Sequence, residues 1–393
     1  MTVPTAWPIV NSHVHLPPNF SAFTTVDDAI AAARAEGVRA FGISNFYDQR
    51  IYPHFGQAAL AAGILPLYGL EFITQVDDLA AAGIRVNDPA NPGRFYLCGK
   101  GIDVSRPVPA TVATIRRGND ERAAAMVAAV RRHLLAADWP QAETLTAEGI
   151  AAGVADRAGV PVEWVSLQER HIAQAIAELL AGLTPDQRAA ALARAYGQAS
   201  GVDPDNAAAV QGEIRARLLR AGQPGFVPEV PVSFEAAYDV IVAMRGIPVY
   251  PTLADGAQPV CPFEAPPAEL ARQLAHRGIH ATELIPNRNR SAVVDDYVRA
   301  FDAAGLIVMA GTEHNTPERL AFDPVCADGP ASSFARQRFW QGTCVVAAHQ
   351  WLVAQGQPGF VDDAGRRTAA TITELADLGA GLIAGQPEGV AHD

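Results

Sequence analysis

His13 and His15 close the apolar stretch 8–16, PIVNSHVHL, and their spacing is the first chemical signal in the chain. In an extended strand, side chains two residues apart point to the same face, so both imidazoles aim at one point. Two neutral imidazoles at one strand end supply half of a site for a divalent cation. Taken alone, the pair reads equally well as two surface histidines. Other apolar runs end in polar residues of similar promise: Asn45, Glu71, Tyr250, Glu283 with Asn287, and Glu313-His314-Asn315. Two histidines and two of these carboxylates would suit a first-row divalent metal that keeps one position open for water.

These residues converge only if the runs that carry them lie side by side. After the first strand, 25–37 reads as a helix, with Thr24 or Thr25 as N-cap, Val26, Ala29, Ile30 and Ala33 on one face, and Gly37 as the stop. A strand at 38–45, a helix near 52–62 and a strand at 64–72 follow, which is the βαβ rhythm of a parallel sheet or barrel. Residues 94–102 fit one more strand. The rhythm then stops, because 109–222 is alanine-rich and helical in period, broken by Pro140, Gly159, Pro161, Thr184-Pro185 and Asp203-Pro204. Within it, 150–165 has weak helix-turn-helix spacing, but the evenly mixed charges around it fit a scaffold or lid better than DNA binding.

Alternation resumes with a helix at 234–246, a strand at 247–253, a helix at 267–278, a strand at 279–286, a helix at 293–305 and a strand at 306–316. The segment 332–355 is a long helix whose Phe334, Phe339, Trp340 and Trp351 suit a core or dimer contact. Residues after Gln386 read as a frayed end. The expected organisation is a first barrel part at 1–108, a helical insertion at 109–230, and the second barrel part with a C-terminal helix at 231–393. A TIM-type barrel takes about 250 residues, so the excess is roughly what the insertion supplies.

Composition narrows the class. The 393 residues are 49% apolar yet contain no stretch long enough to span a bilayer, and the N-terminus lacks the basic-then-apolar pattern of a signal peptide. A net charge of -12 and a pI near 5.3 argue against nucleic acid or an anionic membrane as the main partner. Cys98, Cys261, Cys326 and Cys344 form no C-x-x-C pair, which suggests reduced thiols in a cytoplasmic protein. No glycine-rich phosphate loop, dinucleotide fingerprint or G-x-S-x-G elbow is present.

In their order the motifs resemble the PHP (polymerase and histidinol phosphatase) domain, a distorted (β/α)7 barrel of metal-dependent phosphoesterases. The family opens with H-x-H, matched by His13 and His15. Its G-[VI]-E step is matched by Gly69-Leu70-Glu71, and its final G-S-D-x-H, with changes, by Gly311-Thr312-Glu313-His314-Asn315. Departures are as informative. The family's D-H becomes Asn45-Phe46, its next histidine aligns with Tyr96, its H-P step becomes Tyr250-Pro251, and its last aspartate and histidine become Glu313 and Asn315. The resemblance implies a trinuclear site in which one metal is held by the H-x-H pair, the third-motif glutamate and the last-motif acid. Those four persist here as His13, His15, Glu71 and Glu313, whereas the ligands private to the other metals are largely gone. Phenylalanine cannot coordinate, and tyrosine and asparagine replace imidazole poorly. One divalent metal, Zn, Mn or Fe, is therefore expected. His314 is a weaker candidate for a second position, although an extended strand would aim it away from Glu313.

The resemblance implies hydrolysis of a small polar anionic substrate, above all a phosphate ester, by a metal-activated water. Glu71 or Glu313 is the candidate general base and His314 an auxiliary catalytic group. Asn45, Tyr96, Tyr250, Asn287, Arg288, Arg290 and Asn315 are the candidate substrate contacts, the arginines by bidentate grip on an anion. Two alternatives stand beside this: a barrel that has lost catalysis and binds a sugar or sugar acid, and a metal-dependent isomerase or lyase. His54 is a further residue that could approach the pocket. Homo-oligomerisation stays open.

Overall fold

The computed structural model describes residues 7–386. Its strands are β1 (Ile9–Val14), β2 (Val38–Ile43), β3 (Asn45–Phe46), β4 (Leu65–Leu67), β5 (Gly69–Gln75), β6 (Arg94–Lys100), β7 (Val232–Ser233), β8 (Ile247–Thr252), β9 (Ala281–Leu284) and β10 (Ile307–Ala310). Single residues, Ser44 and Tyr68, interrupt what the sequence presents as two continuous strands, and the breaks divide the strands between two sheets. One sheet runs β1-β2-β4, the other β10-β9-β8-β6-β5-β3, with β7 added beside β5. All pairings are parallel except those of β6, which runs antiparallel to β5 and β8. Parallel neighbours need a long crossover, and between β5 and β6 the chain has only the short helix Asp77–Ala81 and a loop.

The architecture is thus mixed α/β with largely parallel sheets, and the expected closed barrel is not formed. Between β1 and β10 there is only an isolated parallel bridge, Val14 to Glu313, reinforced by His15 N–H to Glu313 O (2.8 Å) and Thr312 N–H to His13 O (3.2 Å). A ladder cannot continue there because Glu313 and His314 both adopt left-handed backbone, with φ of 60° and 51°. Gly311 permits the close approach, since a Cβ at that position would lie 2.3 Å from the Cβ of His13.

Helices cover the outer faces. Val26–Ala35 begins at Thr25, whose side chain accepts from Asp28 N–H, and buries Val26, Ala29, Ile30 and Ala33. The long helix Ser333–Ala354 lies across β1 and β10, and Ile372–Ala384 packs on it where Gly379 meets the Cys344 carbonyl. Phe339 is core, Trp340 is paired with Trp7 at 6.5 Å, and Trp351 is exposed. All four cysteines are buried free thiols.

Between β6 and β7, the helices Ala110–Ala136, Ala147–Ala158, Glu169–Glu178, Pro185–Tyr196 and Ala207–Ile214 bury a core of their own around Met126, Leu134, Ile172, Leu192 and Ile214. Gly159, a break expected from the sequence, and Gly197, which is not among those breaks, end two of these helices in left-handed conformation. The helices lean against the sheets through Phe20 N–H to Gln168 Oε1 (2.6 Å) and the Arg50 guanidinium to Trp164 O (2.6 Å). Among the described residues no helix is long and apolar enough to cross a membrane. The fraying expected after Gln386 lies outside the described residues.

Candidate metal centre

The end of β1 is fixed by a side chain acting as a backbone clamp. Asn45 accepts from Leu16 N–H through Oδ1 and donates to Leu16 O through Nδ2, both at 2.8 Å. His13 and His15 then fall on one face as their spacing requires, and β5, which pairs parallel with β3 in the other sheet, brings Glu71 to the same point. His13 Nε2 lies 3.3 Å from His15 Nε2, while Glu71 Oε2 is 3.4 Å from His15 Nε2 and 3.8 Å from His13 Nε2. Tetrahedral zinc ligands at about 2.0–2.1 Å stand about 3.3–3.5 Å apart; two sides of this triangle match that spacing and the third, at 3.8 Å, is a few tenths longer, so the three groups could hold one cation with a fourth position open. All three residues are buried. Burial holds His15 below its ordinary pKa against the opposing pull of Glu71, which keeps its imidazole neutral and able to donate a lone pair. Phe46, standing where the family pattern has an acid–histidine pair, stacks on the His15 ring at 5.0 Å and offers no ligand atom.

A second ligand-bearing group lies behind the first: His13, Cys98 and Glu283. Glu283 Oε1 is 2.6 Å from His13 Nδ1, and its Oε2 is 3.0 Å from Lys100 Nζ. Burial by itself would raise the Glu283 carboxyl, but Lys100 and His13 outweigh it and hold the group far below the usual carboxylate range.

Glu313 belongs to neither group. Both its oxygens are taken by the Arg288 guanidinium, one at 3.0 Å, and Asn315 Nδ2 donates to it at 2.6 Å. Against the opposing effect of burial, Arg288 and the two histidines hold its carboxyl below the usual range. It stands beside the triangle as an anion already partnered. A cavity of about 820 Å³ opens above, with His15, Glu71, Tyr96, Arg288, Glu313 and Asn315 in its lining.

Several expected contacts are corrected by the fold. Asn45 serves the β1 clamp and does not line the cavity. Tyr250 is fully buried and donates its hydroxyl to Glu264 Oε1 at 2.9 Å, because at that strand position the side chain turns into the core. Asn287 is not among the lining residues, and Arg290 extends to solvent on Asp255 (2.9 Å). His314 does not line the cavity: the left-handed turn places it between Phe23 and Phe322, with Nδ1 on Thr312 Oγ1 (2.7 Å) and Nε2 on Leu320 O (3.0 Å). His54 pairs with Asp27 at the surface.

Sequence reasoning missed the wall contributed by the helical insertion, where Arg122, Gln168, Arg170 and Arg215 face the cavity. Arg122 and Arg215 have acid partners in Glu229 and Glu169, whereas Arg170 lies over the Phe20 ring at 6.0 Å. No local motif marks these residues. Lys100 was equally unmarked by spacing, although its rarity in the chain is visible.

No family model and no curated protein matches the chain. Solved structures of similar fold include the following two. An amidohydrolase from Chromobacterium violaceum, with bound sulfate and no metal, aligns at a TM-score of 0.52 and 17% identity over 81% of this chain and 93% of its own. A proposed metal-dependent phosphoesterase from Bifidobacterium adolescentis aligns at 0.55 and 15% identity, over 85% and 96% respectively.

Proposed function

We propose that this protein is a metal-dependent hydrolase on a divergent PHP-type scaffold, acting on a small polar anionic substrate, first of all a phosphate ester. The observation that carries the reading is the triangle of His13 Nε2, His15 Nε2 and Glu71 Oε2, three donors within 3.8 Å of one another. The two solved structures of like fold support the hydrolase class, and we read the two sheets as a barrel sprung open between β1 and β10.

Zn, Mn or Fe bound by these residues would acidify a water and polarise the scissile oxygen. The protein's own groups do the rest. Arg288 and Asn315 face the cavity at its floor, where they grip the anionic substrate and orient it toward the open side of the triangle. Glu313, held as a carboxylate by Arg288, is the candidate acceptor of the nucleophile's proton once substrate engages that arginine. Tyr96 lines the wall as a neutral phenol, because burial raises its pKa well above the ordinary value, so it can donate a hydrogen bond to a substrate oxygen. The helices of the insertion close the far side and limit bulk water.

A turnover screen tests this. With Zn, Mn and Fe loaded separately, metal-dependent release of phosphate from a small phosphomonoester is expected, reduced at least about 100-fold in His13→Ala and His15→Ala. Undiminished turnover in either variant contradicts the reading. Phe46 on the His15 ring favours one second reading, a lapsed enzyme that binds a sugar acid. Inertness toward phosphoesters, carboxylic esters and sugar acids with every metal would select it.

A further inference from the structure

Lys100 is the only lysine in the chain, the remaining 29 of its 30 lysine and arginine residues being arginine. It is also among the most buried large side chains, only 2% exposed. Its three N–H donors are fully used: Ser12 O at 2.7 Å, Ser44 Oγ, and Glu283 Oε2 at 3.0 Å. A guanidinium, broad and planar with five donors, would not fit that set of partners. Glu283 is equally sealed. Oε2 takes the ammonium and faces Ser12 Oγ at 3.3 Å, and Oε1 stands 2.6 Å from His13 Nδ1. A buried ion pair is a poor way to stabilise a core, since apolar residues of similar volume do as well. This pair ends on one of the two histidines of the triangle, which points to a task beyond stability.

Resting on the metal-site reading above, we propose that Glu283 and Lys100 are positioning residues of the centre. Lys100 holds Glu283 as a fixed anion, Glu283 accepts a hydrogen bond from the Nδ1–H of His13, and His13 is left with its Nε2 lone pair directed at the place where His15 and Glu71 converge. The assembly draws on β1, the Ser44 break, β6 and β9, so four separate chain segments set the orientation of one imidazole. It also explains the His13–Cys98–Glu283 group: the cation of that cluster is the lysine itself. Among the described residues His15 has no such orienter: its buried Nδ1 meets no partner there, and its ring stacks on Phe46. The two histidines are therefore unequal, and His13 is the pre-set ligand.

Nitrogen-15 NMR of histidine-labelled, metal-free protein tests the assignment in the wild type, with His13→Gln identifying the signal. The result expected is a His13 imidazole protonated on Nδ1 and free on Nε2, giving way to a mixture or the opposite tautomer in Glu283→Gln. Zn²⁺ titration of Glu283→Gln and Lys100→Met should show 10–100-fold weaker binding, the usual cost of losing a ligand's orienter. His13 protonated on Nε2 in the wild type overturns the proposal, as does unchanged Zn²⁺ affinity in a cooperatively melting Glu283→Gln protein. If the wild type binds no Zn²⁺, the metal-site reading falls on its own, and the tautomer alone decides this inference.

Discussion

Arg288 and Glu313 pose the sharpest question at the scale of single residues. The pair is bidentate, and Arg288 is 38% exposed, so the ion pair is worth about 1 kcal/mol at most. It keeps Glu313 from joining the adjacent histidines and Glu71, as the family pattern would have it. Arg288→Ala is therefore expected to tighten Zn²⁺ binding several-fold by releasing Glu313, while raising KM for an anionic substrate. In a Glu313→Gln background the gain should vanish, and an equal gain there would show that only charge relief is involved. The histidine pair and Glu71 were legible because a period of two fixes the face of a strand residue. Glu313, His314 and Tyr250 were not, because side-chain direction at a strand end depends on backbone dihedrals that spacing does not encode. Lys100 touches residues far away in sequence, and only its solitude could have drawn notice.

Among the elements, the segment after β8 shows how a buried acid shapes a loop. Glu264 accepts from Leu253 N–H (2.9 Å), Ala254 N–H (2.7 Å) and the Tyr250 hydroxyl, with no cation in contact among the described residues. Burial outweighs those three donors and pushes its carboxyl up to about 7 from 4.5. The folded state thus holds this proton more firmly than the unfolded chain does. The associated stability is complete below pH ~4.5 and is lost as the pH rises through about 7, on the order of 3 kcal/mol in all. Urea midpoints measured between pH 5 and 8 should fall with pH in the wild type and fall less in Glu264→Gln. Parallel slopes would remove Glu264 as the cause. The helix–strand order itself was readable from hydrophobic period and stop signals, as Thr25 and Gly37 illustrate. The reversal of β6 was not, because strand direction depends on the connection's route. The sheet break at Ser44 leaves no mark in a continuous apolar run.

For the molecule as a whole, charge and topology pull in opposite directions. The chain carries -12 overall, yet the cavity wall supplied by the insertion presents Arg122, Arg170 and Arg215 above an acid-and-imidazole floor. Two of these arginines are paired with Glu229 and Glu169, so Arg170 and Arg288 are the cationic groups best placed to meet a small anionic substrate of the kind proposed. That the inserted block is helical was plain in its composition. That it forms one wall of the site was not, since docking is settled by contacts such as Gln168 with the Phe20 backbone. Both sheets and the insertion meet around the three donors at the end of β1 and on β5. Elemental analysis after Zn²⁺ loading and exhaustive dialysis measures most directly whether they hold one cation. One zinc per chain, abolished by His15→Ala, is the predicted result. Two or three tightly held ions, none at all, or a full complement in His15→Ala would contradict it.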